Sequence, residues 1–141
     1  MNTKDILKKA ITHVLTQGIQ AIDLHGVCRY KITTEQGDVL KCAVGGLISD
    51  EVYSDSLEGC SIYSFMNNPP VTEQCVINAV NESLGVKLNS KVILYLRHIQ
   101  DAHDHDGNDF TANFKERIES AVESKLLPEY TLEFLKESKH G

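Results

Sequence analysis

Apolar side chains recur at Ile6, Leu7, Ala10, Ile11, Val14 and Leu15, the spacing of a helix with one buried face. Thr3 stands at its start as a cap and Gly18 just past its end as a stop. His13 falls off the stripe and reads as a solvated helix residue. After a connection over 19–26, in which Ile22 and Leu24 tuck inward, the pattern changes from helical to alternating. In CRYKITTEQGDVLKC, Cys28, Tyr30 and Ile32 share one face and Arg29, Lys31 and Thr33 the other. A three-residue turn, Glu35-Gln36-Gly37, puts glycine in the left-handed third position and makes this a β-hairpin. That register sets Ile32 opposite Leu40, Tyr30 opposite Cys42 and Cys28 opposite Val44. Cys28 and Cys42 then stand diagonally, about 7–8 Å apart at Cα, beyond the ~4.4–6.8 Å that a disulfide spans. Both read as small core residues.

The paired glycines of AVGGLI, Gly45 and Gly46, point to close backbone packing or a tight strand-to-helix transition. SDEVYSDSLEG reads as a short capped helical turn and a loop, and the irregular stretch continues from Asp55 to Pro70. Val71, Cys75, Val76, Ala79, Val80 and Leu84 mark a second helix, begun near Thr72 and stopped by Gly85. Asn89 or Ser90 caps a third, whose VILYL centre is apolar almost all round and predicts a central, largely buried helix. Phe110, Phe114, Ile118, Ala121 and Val122 make a fourth, capped by Asp109 and ended by Pro128. The class is α+β: a mostly helical single domain over 1–141, with about four helices and one β-hairpin near residues 27–44. Residues 129–141 are a short terminal helix or a frayed end.

Composition changes this picture in two places. Twenty acidic against 14 basic side chains give a net charge of −6, and no basic cluster exceeds Lys8-Lys9, so nucleic acid is not an expected partner. No apolar run approaches the roughly 18 residues that span a bilayer, and MNTKDILKKAITHVL carries charges inside its apolar pattern, unlike a signal peptide. With four cysteines and no secretion signal, the expectation is a cytoplasmic protein with free thiols and no membrane partner.

The stretch DAHDHDGNDF, Asp101 to Phe110, concentrates four aspartates and two histidines. As a calcium loop it fails, because aligning Gly107 puts Ala102 and Asn113 where an EF-hand requires acids. As a His…HisAsp…Asp phosphohydrolase it leaves only Asp109 after His103-Asp104, with no helix between to bring it round. His98, Asp101 and His105 lie at i, i+3 and i+7, so one helix face could present them to zinc or nickel, with His103 beside them. The simpler reading is a solvated helix-to-helix corner, with no metal and no cofactor. Cys42 and Cys60 are the candidate reactive thiols, but no histidine adjoins Cys42 in sequence. Neither a phosphate-binding glycine motif nor a nucleophile elbow is present. No catalytic residue is assigned.

Recognition is better served by the hairpin and the loop after it. Arg29 and Lys31 project from the hairpin's outer face, and Asp50, Glu51, Tyr53, Asp55 and Glu58 cluster just beyond it in sequence, ahead of the aromatic IYSF stretch, Ile62 to Phe65. Arg29 and Lys31 favour an anionic ligand; the acids favour a basic protein face.

The segment CRYKITTEQGDVLKCAVGGLISDEVYSDSLEG resembles a group of small proteins of bacteriophages and prophages. They share Cys28, Tyr30, Gly37, Leu40 to Gly45, Leu47, Ile48, Asp50, Tyr53, Glu58 and Gly59 of this chain. HVLTQG and LRHIQDAHD also look like their counterparts, so the resemblance runs from about Asp5 to about Ala121. This chain departs from the group with Gly46 where a third cysteine often stands, which argues against a thiol-rich metal site. The resemblance implies a phage-encoded protein in the host cytoplasm and no particular activity. The combined expectation is a non-enzymatic binding protein that modulates a host process such as defence, through a host protein or a small anionic metabolite. The alternative is a metal-dependent hydrolase using His98, Asp101, His103 and Asp104. A third reading is an assembly or scaffolding protein, a homo-oligomer joined through the helix face near Phe110 and Phe114.

Overall fold

The computed structural model describes residues 1–23, 28–59, 71–104 and 109–137. These form five α-helices: α1 Thr3–Gln17, α2 Val71–Leu84, α3 Ser90–Asp104, α4 Phe110–Glu123 and α5 Thr131–Glu137. One antiparallel pair, β1 Lys31–Thr33 with β2 Val39–Lys41, completes a mostly helical α+β fold. Two short 3-10 turns, Gly45–Leu47 and Asp55–Gly59, come after the hairpin. Among the described residues no helix is long and apolar enough to cross a membrane.

α1 packs against α3, α5 and the 3-10 turn at Gly45–Leu47, and α4 packs on α3 and α5. All six apolar residues of the α1 stripe are buried, and they meet Val92, Leu96 and Ile99 of α3 and Phe114, Ile118 and Val122 of α4 in one contiguous core. α3 is less enclosed than its sequence suggests, because Ile93 and Tyr95 are only partly buried and pack on the core's margin. Phe134 and Leu135 anchor α5, so the chain end remains helical to Glu137. Phe114 is itself fully buried, and Phe110 packs partly buried on the core's margin.

The caps follow elementary backbone chemistry, with two corrections. Asn2, not Thr3, caps α1: its side-chain oxygen accepts the Asp5 N–H at 2.8 Å. Gly18, at φ 69°, closes the other end by donating its N–H to Val14 O at 2.9 Å. Asn89 accepts the Val92 N–H at 2.9 Å and Asp109 the Ala112 N–H at 3.1 Å, as expected for α3 and α4. α4, however, stops at Glu123 rather than at Pro128. Lys125 takes the left-handed conformation at φ 64°, its N–H and those of Leu126 and Leu127 folding back onto Val122 O and Ala121 O. A lysine gives no sequence signal for that conformation, which glycine usually fills.

The hairpin has the expected register, Ile32↔Leu40, flanked by Lys31↔Lys41 and Thr33↔Val39. Gly37 sits at φ 88° in the turn. The register does not extend to Cys28 and Val44. After Cys42 the chain turns, with Gly46 N–H bonded to Cys42 O at 2.9 Å and Gly45 N–H to Cys42 Sγ at 3.3 Å. Cys28 instead bridges Ile22. Gly45 is dictated by close approach, since a Cβ there would overlap the Tyr30 carbonyl. His13 is a further correction. It is half-buried, with Nε2–H donating to Lys41 O at 2.9 Å, and a Cβ on Gly46 would collide with its ring.

Candidate functional site

β1 and the 3-10 turn Asp55–Gly59 come together through one carboxylate. Glu58, about 10% exposed, accepts the backbone N–H of Tyr30 at 3.0 Å on one oxygen and that of Lys31 at 3.1 Å on the other. Tyr53 donates its hydroxyl to the same carboxylate at 2.6 Å, and Arg29 Nε lies 3.3 Å away. Burial and this acidic neighbour push the Tyr53 phenol above its ordinary pKa. Arg29 also reaches Asp23 at 3.3 Å. Lys31 and Lys41 converge on Asp50 at 3.1 and 3.0 Å, and their hydrogen bonds hold its carboxyl below the usual range. Lys31 Nζ also stands 5.1 Å from the centre of the Tyr53 ring.

Five of the six residues singled out from sequence, Arg29, Lys31, Asp50, Tyr53 and Glu58, therefore form one charge-balanced assembly. Glu51 is exposed and stands outside it. Arg29, Lys31 and Tyr53 line a cleft of about 390 Å3 with Asp23 and Asp55. A neighbouring cleft of about 520 Å3 shares Asp23, Arg29, Ile32 and Thr33 and runs on to Glu35 and Gln36. Both clefts border β1.

The backbone of β1 has a further property. Cys42 N–H bonds Tyr30 O, and Thr34 N–H bonds Asp38 O, so the Tyr30 C=O, both polar groups of Ile32 and the Thr34 N–H turn toward β2. Those of Lys31 and Thr33 turn away. Glu58 takes the Lys31 N–H, and the Thr33 N–H and C=O have no backbone partner among the described residues. The IYSF stretch and Cys60 lie outside the described residues.

A second constellation is buried. His103 is fully enclosed at the last turn of α3, so the solvated-corner reading does not hold for it. Its Nε2 accepts the Ala21 N–H at 3.2 Å, which leaves the ring proton on Nδ1, donated to Asp104 Oδ1 at 2.8 Å. The same oxygen accepts from Gln100 Nε2 at 2.7 Å, and Gln100 Oε1 accepts the Val44 N–H at 2.9 Å. Gln20 donates to His103 O at 2.8 Å, satisfying a helix-end carbonyl. Phe110 packs edge-on against the imidazole, with centroids 5.5 Å apart.

Cys28, His103 and Asp104 each bring one ligand atom within 4.8 Å of the others, the spacing of a potential metal site. The ring's hydrogen bonds oppose ligation. A metal on Nδ1 requires the proton on Nε2, where it would face the Ala21 N–H, donor against donor. Cys28 Sγ lies 3.8 Å from Asp104 O, at the negative end of the α3 dipole and beside a carboxylate, surroundings unlike those of activated thiols. Cys42 is buried, and desolvation drives its thiol pKa upward, which keeps it protonated.

Of the metal candidates named from sequence, His98 and Asp101 come together and His103 stands apart. His98 and Asp101 line a separate cleft of about 220 Å3 with Arg117, Ser120 and Ser124. His103 is 140° round the helix from His98 on ideal α-helical geometry of about 100° per residue, and His105 lies outside the described residues. Burial, then Arg97, lowers the His98 pKa. Sequence reasoning missed Asp23, Gln17, Gln20, Lys41 and Gln100. For Gln100 and His103 a signal existed: Val92, Leu96, Ile99, Gln100 and His103 continue one helical stripe, and a polar residue on such a stripe must find a buried partner. No family model, curated protein or solved structure matches the chain.

Proposed function

We propose that this chain is a non-enzymatic binding protein that takes up an extended segment of a partner protein along the outer edge of β1. The observation that carries this is the outward-facing Thr33 N–H and C=O beside clefts lined by Arg29, Lys31 and Tyr53. Strand addition gains its affinity from such main-chain groups and its specificity from side-chain pockets beside them. The charge balance favours a polypeptide over a small anion. The cleft at Tyr53 carries Arg29 and Lys31 against Asp23 and Asp55, so no surplus positive charge is left to select an anionic metabolite. The resemblance to phage proteins supports a host protein as the partner and the host cytoplasm as the setting.

The test uses Thr33→Pro. Proline removes the N–H that points away from β2 and leaves every hairpin hydrogen bond intact, a substitution tolerated on edge strands. A random-peptide display library is panned on the wild-type protein, and the enriched peptides are then measured on both proteins. We expect sequences that bind the wild type and lose at least tenfold in affinity on Thr33→Pro. Failure to enrich any peptide, or equal binding to a folded Thr33→Pro variant, refutes strand addition.

A further inference from the structure

A groove of about 610 Å3 lies where α3 faces the α4–α5 connection, sharing no residue with the hairpin clefts. Tyr95, Val122, Leu127 and Leu132 make its apolar lining, and Glu119, Glu123 and Glu129 its exposed rim. Lys125 is the single base in that lining. Elementary helix energetics do not explain Glu119 and Glu123. Glu119 and Glu123 are an i, i+4 pair of like charge, which is unfavourable in isolation. Glu123 is also the last residue of α4, at the negative end of its dipole. None of the three has an ion-pair partner among the described residues. Local propensity is thus set aside twice, at Glu119 and Glu123, the kind of inconsistency that marks a surface shaped for something else; Glu129, two residues before α5, sits where an acid suits the helix N-terminus. The Tyr95 ring already attracts a cation, since Lys91 Nζ lies 5.9 Å from its centre.

We infer that this groove is a second docking surface, and that its occupant is a basic amphipathic helix of a partner protein. Helices wall the groove, and an amphipathic helix laid between helices presents apolar anchors at i, i+3, i+4 and i+7. Its apolar residues would pack on Tyr95 and Leu132, which are only partly buried, above Val122 and Leu127, which the core already encloses. Lysine or arginine on its flanks would pair with Glu119, Glu123 and Glu129. With strand addition on the hairpin, the molecule would hold two segments at once and act as a bridge. The two surfaces are tested separately, because Thr33→Pro leaves this groove untouched.

The probe is a synthetic helix-forming peptide with leucine at i, i+3, i+4 and i+7 and lysine on both flanks, beside a twin with glutamate flanks. Binding to the isotope-labelled protein is followed by amide shifts. The lysine peptide is expected to move the signals of Tyr95, Val122 and Leu132, and the glutamate peptide is not. The variant Glu119→Lys/Glu123→Lys/Glu129→Lys is expected to lose about tenfold or more in affinity, and it should fold, because a lysine at position 123 suits the helix C-terminus. A matched reversal elsewhere, Asp38→Lys/Glu51→Lys/Glu82→Lys, at exposed positions outside both clefts and the groove, carries the same net charge and should bind nearly as the wild type does. Absence of binding up to millimolar peptide overturns the inference. So does an equal loss in both triple variants, which would reduce the effect to attraction by the protein's overall charge.

Discussion

Replacing Glu58 should loosen the join between the hairpin and the 3-10 turn by an amount that its hydrogen bonds set. Glu58→Ala removes the acceptor for the Tyr30 and Lys31 amides and the Tyr53 hydroxyl, and the counter-charge of Arg29. Hydrogen bonds to a charged group contribute about 1.5–3 kcal/mol each. Arg29 is about 38% exposed and water can replace its partner, so it is discounted. The phenol of Tyr53 can rotate toward solvent. Counting the two backbone donors alone gives a loss of about 3–6 kcal/mol. At roughly 3 °C per kcal/mol for a chain of this size, the melting midpoint should fall by about 10–18 °C. Glu58→Gln keeps one oxygen for Tyr30 but turns an NH2 toward two donors, so about half that loss is expected. The assay is urea unfolding followed by circular dichroism, with the slope of free energy against urea unchanged. If both variants unfold within about 0.5 kcal/mol of the wild type, the range of a neutral surface change, the carboxylate is exchangeable with water and the reasoning fails.

Burial lowers the His13 pKa, so the folded state binds fewer protons than the unfolded state just below the ordinary histidine value. Stability should be fully present above about pH 6.5 and fall as pH drops toward the lowered value, and His13→Gln should flatten that slope; an unchanged slope refutes it. Tyr53 is the opposite case: its raised pKa predicts stability that is full below about pH 10 and declines above it, with Tyr53→Phe removing part of the decline in alkaline melting curves. Gly45→Ala should cost about 1–3 kcal/mol by driving a Cβ into the Tyr30 carbonyl, whereas Gly37→Asn, at an open turn position that tolerates asparagine, should cost less than about 1 kcal/mol. Zinc or manganese should leave the melting temperature unchanged; a rise that His103→Gln abolishes would overturn the hydrogen-bonding assignment of that ring.

Where the apolar period is long, the sequence was easily read. The six-residue stripe of α1, the Val76-Ala79-Val80 face of α2 and the Phe114-Ile118-Val122 face of α4 are buried as their spacing requires. The hairpin register followed from Gly37 and from alternation. Glu58 and Tyr53 could be named as neighbours because they are close in sequence to the hairpin. That one carboxylate bonds two amides 27 and 28 residues away could not be read, because no local pattern encodes a distant donor. His13 was misread for the same reason, since its partner is a carbonyl 28 residues on. His103 was legible in principle as the continuation of the Val92-Leu96-Ile99 stripe, but the neighbouring aspartates drew attention to charge instead of burial.

Among the described residues, the amides of Ala21, Tyr30, Lys31, Lys41 and Val44 and the carbonyl of Lys41 are held by side chains from other parts of the chain. Gln17 bonds both backbone groups of Lys41. Glu58 holds Tyr30 and Lys31, Gln100 holds Val44, and the His103 ring holds Ala21. The hairpin is therefore not a transplantable unit. Cut out as a peptide or grafted onto another scaffold, it would keep its turn and three strand pairs and lose every clamp that fixes its direction. Anyone wishing to borrow the outer edge of β1 would have to carry α1, the 3-10 turn and the end of α3 along with it.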